Sequence, residues 1–303
     1  MQNKLLLTIC KIAFSAALLA VIITKADPKS LVAALQSVRL EFYVLAVLIY
    51  VLSLPLRTLR WGIFLKEKNV TIPQPKLLLL YCIGMFFNTF LPTMFGGDAV
   101  RIYYIYREYH TRDVPATSVI VERCCGVAAL FCIGLASSLY WIIRFGISPF
   151  VQLSLSACLA GLICLLLLVS RRLHKVAQKL FSALPFTPRS FDSLYRSFQG
   201  YSENKRALLA GLGLSAITSL ATIIIAFCLS RSLGWQLPFS VFLYTIPVIT
   251  ITTMIPVSFG GIGVRETAFL LVFSQFGIAA PQAVSLALLW YSINLIFGIF
   301  GGI

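Results

Sequence analysis

Along the chain, apolar runs long enough to cross a bilayer alternate with short polar breaks. A crossing helix needs about 20 mostly apolar residues. Such runs occupy Leu5–Thr24, interrupted only by Lys11, then Phe42 to about Leu59, Val114–Ile143, Ser148–Ser170, Leu208–Ser230 and Ala283–Ile303. Two further apolar stretches stop early. The one from Leu77 meets Asn88, Pro92, Gly96 and Gly97, and the one from Val241 meets the segment Pro256 to Gly263. Each is followed by a shorter stretch, Asp98–His110 and Val264–Phe276. The pattern predicts an all-α polytopic integral membrane protein with about six full transmembrane helices plus two re-entrant, broken-helix hairpins.

The two breaks carry one motif. An aliphatic residue, Pro, two residues, Phe-Gly-Gly, two residues and Val-Arg occur at Leu91–Arg101 and again at Ile255–Arg265. Pro92 and Pro256 lie 256 − 92 = 164 positions apart, and the same offset carries Phe42 to 206 and Ala116 to 280, close to the starts of two other predicted spans. A unit of span, broken hairpin and span therefore occurs twice, roughly at 42–143 and 207–303, within a single transmembrane domain covering 1–303.

Charge sets the expected orientation. Lys and Arg concentrate in short loops kept on the cytoplasmic side. Lys66, Lys68 and Lys76 mark one such loop, and the cytoplasmic basic loop 171–206 marks it most firmly, with Arg171, Arg172, Lys175, Lys179, Arg189, Arg196, Lys205 and Arg206. Its Leu, Val and Phe spacing fits either interfacial helices on anionic lipid or a plain solvated loop. Both termini are expected in the cytoplasm of a cell (inner or plasma) membrane protein. Arg57–Trp61 reads as a helix end at the headgroup boundary, and Lys25–Glu41 as a short amphipathic connection. A signal peptide is the rival reading of the first run, but no A-x-A cleavage pattern follows it. With these sides, the first hairpin opens from the cytoplasm and the second from outside, so the repeat is inverted, an architecture of secondary transporters.

Composition agrees and removes other classes. Hydrophobic residues make up 59% and charged residues 12%, whereas soluble domains approach a quarter charged. The excess of 25 Lys and Arg over 10 Asp and Glu belongs to loops, so no nucleic-acid partner is expected. The eight cysteines form no C-x-x-C pair and lie in apolar runs, as small buried hydrophobes do. No metal or cofactor is expected. With no G-x-S-x-G, H-E-x-x-H or P-loop pattern, neither is enzyme activity.

The candidate chemistry lies at the breaks. Backbone freed at Pro92 or Pro256 has to be buried in protein or line a wet cavity, because lipid offers it no hydrogen-bond partner. Gly96, Gly97, Gly260, Gly261 and Gly263 allow positive φ and close approach, and each glycine pair starts a half-helix whose amide end favours an anion. Arg101 and Arg265 follow about one turn later. The guanidinium fork matches a phosphate. Asp98, Glu122 and Glu266 are candidate counter-ions, while Asn88, Arg123 and Ser258 complete the polar set. These residues are read as a lipid-headgroup site; a buried ionic cluster that only fixes packing is the competing reading.

At these residues the chain resembles the flippase-like family, also described as the lysylphosphatidylglycerol synthase transmembrane region or the UPF0104 group. The resemblance rests on R-T-L-R-W at Arg57–Trp61, N-x-x-L-P-x-x-x-G-G-D-x-x-R at Asn88–Arg101, the pair Glu122–Arg123, and I-P-x-S-x-G-G-I-G-V-R-E at Ile255–Glu266. It spans nearly the whole chain. Fusion members join this region to a soluble aminoacyltransferase, and the membrane region is thought to move the product lipid between leaflets. These 303 residues contain no such soluble domain, so lysyl transfer is not expected and the family reading is a stand-alone member. The resemblance implies a lipid translocator for a phospholipid or a polyprenyl-phosphate-linked lipid. The alternative is a membrane-embedded accessory subunit or enzyme of lipid-linked glycosyl or aminoacyl transfer. Expected partners are membrane lipids with a phosphate headgroup, and beyond them a second copy of the chain or a separately encoded lipid-modifying enzyme.

Overall fold

A computed structural model describes residues 28–91, 96–110, 113–169, 200–201, 204–254, 261 and 263–302. Helices account for nearly all of them, and no strand occurs among the described residues. In chain order the helices are α1 Pro28–Gln36, α2 Leu40–Glu67, α3 Gln74–Phe90, α4 Gly96–Tyr109, α5 Asp113–Phe145, α6 Pro149–Val169, α7 Lys205–Ser232, α8 Phe239–Met254, α9 Val264–Ser274 and α10 Ala280–Phe300. The protein is a polytopic all-α membrane protein. Among the described residues five helices, α2, α5, α6, α7 and α10, are long and apolar enough to cross a membrane. The expected first span, Leu5–Thr24, lies outside the described residues, as do Pro92, Pro256, Ser258, Gly260 and most of the basic segment 171–206.

The short helices stop where the sequence interrupts them. α3 has 17 residues and α8 has 16, and at ~1.5 Å per residue each covers about 25 Å, less than the roughly 30 Å hydrocarbon core. The order long, short, short, long occurs twice. α2 and α7 each have 28 residues and start 205 − 40 = 165 positions apart, and α3 and α8 start 239 − 74 = 165 positions apart.

Two compact units emerge from the packing of the described residues, the first from those within 1–52, 79–101 and 221–303, the second from those within 53–78 and 102–220. In the first, α10 is the common support. Leu31 of α1 and Leu270 of α9 pack against Val284, the Tyr43 hydroxyl lies 2.7 Å from Ser292 Oγ, and the Tyr50 ring meets Phe297 at 5.0 Å. Small residues bring α3 close to the same helix: a Cβ on Gly298 would meet Thr89, and one on Gly301 would fall 2.0 Å from the Cys82 carbonyl oxygen. Such close approach is how helices associate where lipid gives them no hydrophobic drive. An aromatic group of Trp235, Phe242, Phe269 and Phe273 joins the α7–α8 connection and α8 to α9.

In the second unit Phe64, Val121, Cys125 and Tyr201 form a buried core, with Phe64 filling the space over Gly211 and Phe131 that over Gly161. Ser138 and Ser154 link α5 to α6 at 3.1 Å. At the polar end, Lys68 Nζ donates to the Gly200 carbonyl at 2.7 Å and Asn204 to Glu67 at 2.7 Å. α2 differs here from the sequence expectation. It does not end at Arg57–Trp61 but runs to Glu67, because Arg60 and Trp61 are buried and find hydrogen-bond partners inside the protein.

Candidate functional site

The first broken hairpin is built from the end of α3 and the start of α4. Asn88, on the last turn of α3, accepts a hydrogen bond at Oδ1 from the Gly97 amide at 2.8 Å. That supplies one of the four amides a helix start leaves without a partner in its own ladder. The two segments meet backbone to backbone. A Cβ on Gly97 would sit 1.8 Å from the Gly84 carbonyl oxygen, so no side chain fits there. One turn into α4, buried Arg101 pairs with buried Asp98, and its guanidinium lies over the Tyr81 ring of α3, 4.8 Å from the centroid. The aromatic face attracts the cation.

The second hairpin, α8 with α9, reaches a related arrangement by other means. Gly261 and Gly263 have φ of 81° and 85°, conformations that glycine adopts without steric cost. The Gly263 amide donates to Glu266 Oε2 at 2.6 Å, so the buried carboxylate three residues on reaches back over the helix start, the acid half of a capping box. Glu266 thus serves α9 locally. Arg265 lies with its guanidinium 5.2 Å from the ring centroid of Tyr291 on α10. The aromatic platform comes from the same hairpin for Arg101 and from a neighbouring long helix for Arg265.

Glu122, expected near these arginines, is placed in the second unit on α5. Its Oε1 accepts from Arg60 Nη2 of α2 at 2.7 Å, and the same guanidinium donates through Nη1 to Ser215 of α7 at 3.0 Å. Trp61 Nε1 donates to Ser118 at 3.1 Å, one turn before Glu122. Arg123, half-buried, follows Glu122 on α5.

The first unit therefore gathers Asn88, Gly96, Gly97, Asp98, Arg101, Gly261, Gly263, Arg265 and Glu266, while Glu122 and Arg123 belong to the second. Arg60, Tyr81 and Tyr291 escaped the sequence reading. For Arg60 a signal existed: Ser53, Arg57, Arg60 and Phe64 follow the i, i+4, i+7, i+11 spacing of one helix face, which points inward. Tyr81 and Tyr291 gave none, since tyrosine in a membrane helix ordinarily marks an interface. Among the described residues no cluster of His, Cys, Asp and Glu could hold a metal.

The profile of the family described as lysylphosphatidylglycerol synthase TM region matches residues 8–302. The chain belongs to this family. Similar proteins include a UPF0104 membrane protein of Pyrococcus horikoshii, 26% identical over 276 residues that cover 82% of each chain. A second, from Methanocaldococcus jannaschii, is 24% identical over 270 residues, covering 82% of this chain and 79% of the relative. Membership places the two hairpins in an integral membrane protein of a family named for lipid chemistry.

Proposed function

We propose that this family member moves a lipid with a phosphate headgroup, a phospholipid or a polyprenyl-phosphate-linked lipid, between the leaflets of the cell membrane. In this reading it is a translocator and not an enzyme, and it works with both termini in the cytoplasm. The observation that carries the reading is the occurrence of two glycine-started half-helices in one compact unit, each with an arginine over a tyrosine ring, Arg101 about a turn into α4 and Arg265 at the second position of α9. An arginine in hydrocarbon costs about 2.5–3.5 kcal/mol on an insertion scale unless it is paired or hydrated; Asp98 compensates Arg101, and a second arginine at the other broken helix favours a hydrated or ligand-bearing path. Each ring attracts the cation that lies over it, and a phosphate oxygen pair matches the guanidinium fork. The half-helix amides add partial positive charge.

Each hairpin also has its own acid. Asp98 neutralises Arg101 when the headgroup is away, and Glu266 keeps the α9 start intact. A headgroup entering the first hairpin competes with Asp98 for Arg101. With hairpins opening from opposite faces, the lipid would be handed from one to the other by alternating access. The test is a leaflet-exchange assay in proteoliposomes with a panel of fluorescent lipids that differ only in headgroup. Exchange of phosphate-bearing lipids above that of empty liposomes supports the reading; exchange equal to the empty control for every headgroup overturns it.

A further inference from the structure

The ion pair of Arg60 and Glu122 in the second unit is not used by the headgroup site above. Arg60 and Glu122 are 7% and 2% exposed, and they join three helices, α2, α5 and α7. α2 and α7 are the leading long helices of the two similar halves, so the Arg60–Ser215 bond connects one half to the other. The guanidinium is incompletely used. Glu122 takes Nη2, whereas Nε, on the same edge of the fork, is buried and makes no hydrogen bond among the described residues. That edge is the one that grips a carboxylate or phosphate through two parallel bonds. On α7, Ser215 holds Nη1 at 3.0 Å with Thr218 behind it at 3.5 Å, so the arginine stays anchored if its carboxylate partner changes.

Among the buried acids of the described residues, Asp98 has an ion pair within its own helix and Glu266 caps its own helix, and the ion pair of Glu122 runs across helices. A change of charge on Glu122 therefore reaches from α5 to α2. Among the described residues the charged and titratable groups near it include Arg60, with Arg57 one turn before on α2, bonded to Ser53, and Arg123 and the buried thiol of Cys125 on α5; α7 supplies the neutral hydroxyls of Ser215 and Thr218 to Arg60.

We propose that Arg60 is a second station for the lipid phosphate and that Glu122 carries a proton that crosses with it. The proposal rests on the translocator reading. A phosphate oxygen pair accepts from Nη2 and Nε of Arg60 and displaces Glu122. Glu122 Oε1 then takes a proton from a hydronium ion at the entry face, forming its O–H bond as a hydronium O–H bond breaks and a water molecule is left. The reverse transfer to a water molecule regenerates hydronium on the other face. The local charge is balanced in both states: arginine against carboxylate before, arginine against phosphate afterwards. A carboxylate left without its cation in low dielectric is costly, and that cost makes the proton accompany the phosphate. One monoanionic headgroup moves with one proton, and the exchange carries no net charge.

The first test needs no transport. Short-chain phosphatidylglycerol is added at fixed pH to the protein in phosphatidylcholine nanodiscs, and an infrared difference spectrum is recorded. The wild-type protein should show a new protonated-carboxyl band, absent in Glu122→Gln. Should the single variant not fold, Arg60→Gln/Glu122→Gln, a neutral pair of similar size, takes its place with the same expected loss. No band in the wild type, or an equal band in the Gln variants, overturns the proposal. In proteoliposomes with a trapped pH dye, fluorescent phosphatidylglycerol exchange should move one proton per lipid and be indifferent to an imposed potassium-diffusion potential. Exchange without proton movement overturns the coupling and leaves the translocator reading standing. Absence of exchange in the wild type overturns the translocator reading, and the infrared band then decides the proton site by itself.

Discussion

The Gly97 amide donates to Asn88 Oδ1 at 2.8 Å, so the last turn of one half-helix caps the first turn of the next. Replacing Asn88 by Leu leaves that amide without its acceptor and should cost about 1–3 kcal/mol. Asn88→Asp keeps an acceptor and adds a negative charge at a helix start, which the dipole favours. Thermal unfolding in detergent should rank wild type and Asn88→Asp together, with Asn88→Leu clearly lower. Equal midpoints for all three would show that the bond does not hold the hairpin.

Gly97→Ala should be worse than a typical helix substitution. The added methyl falls 1.8 Å from a backbone carbonyl of α3, which cannot rotate away as a side chain can, and overpacking of this kind costs about 1–3 kcal/mol. Gly213→Ala on α7 is the control, because nothing lies within 4 Å of its added Cβ. Gly97→Ala should lower both thermal stability and leaflet exchange, whereas Gly213→Ala should leave stability equal or slightly higher.

At the second hairpin the backbone itself requires glycine. Gly263 has φ of 85° and ψ of −49°, a sparsely populated conformation in which an L side chain costs about 1–3 kcal/mol. Glu266→Gln retains an oxygen for the Gly263 amide and should change stability little, while Glu266→Ala loses the cap and about 0.5–2 kcal/mol. Unfolding midpoints of Gly263→Ala, Glu266→Gln and Glu266→Ala measure all three. A loss with Glu266→Gln equal to that with Glu266→Ala would show that its charge, not its hydrogen bond, matters.

The buried pair of Arg60 and Glu122 should behave as a unit. Removing either partner strands a charge and costs about 3–5 kcal/mol, whereas replacing both by apolar residues of similar size is often close to neutral. Arg60→Met and Glu122→Met should each destabilise strongly, and the double variant less than either. A double-mutant cycle reads this directly; additive losses would contradict the pairing.

The fold was legible in the sequence to an unusual degree, for a physical reason. Lipid forces each crossing to be a helix of nearly fixed length, so apolar runs placed α5 and α7 within a few residues, and proline and glycine placed the breaks after Phe90 and before Val264. The end of α2 was misread. Arg57–Trp61 has the composition of a headgroup boundary, but composition does not say whether a partner waits inside, and Glu122 and Ser215 do. Long-range pairing was likewise hidden. Glu122 was expected beside the hairpin arginines because it is a rare acid in a span, and its partner 62 positions earlier could be chosen only with α2 and α5 side by side. The tyrosine platforms under Arg101 and Arg265 follow different routes in the two halves, so the repeat itself could not reveal them.

The most direct test of the headgroup site is leaflet exchange of fluorescent phosphatidylglycerol in proteoliposomes, with Arg101→Ala and Arg265→Ala beside the wild type and each variant confirmed as folded by gel filtration. The account predicts exchange well above empty liposomes for the wild type, and losses of tenfold or more for each variant, as expected when about 1.4 kcal/mol or more of phosphate binding is removed. Wild-type exchange left unchanged in both folded variants would contradict the assignment of the two hairpins as the phosphate site.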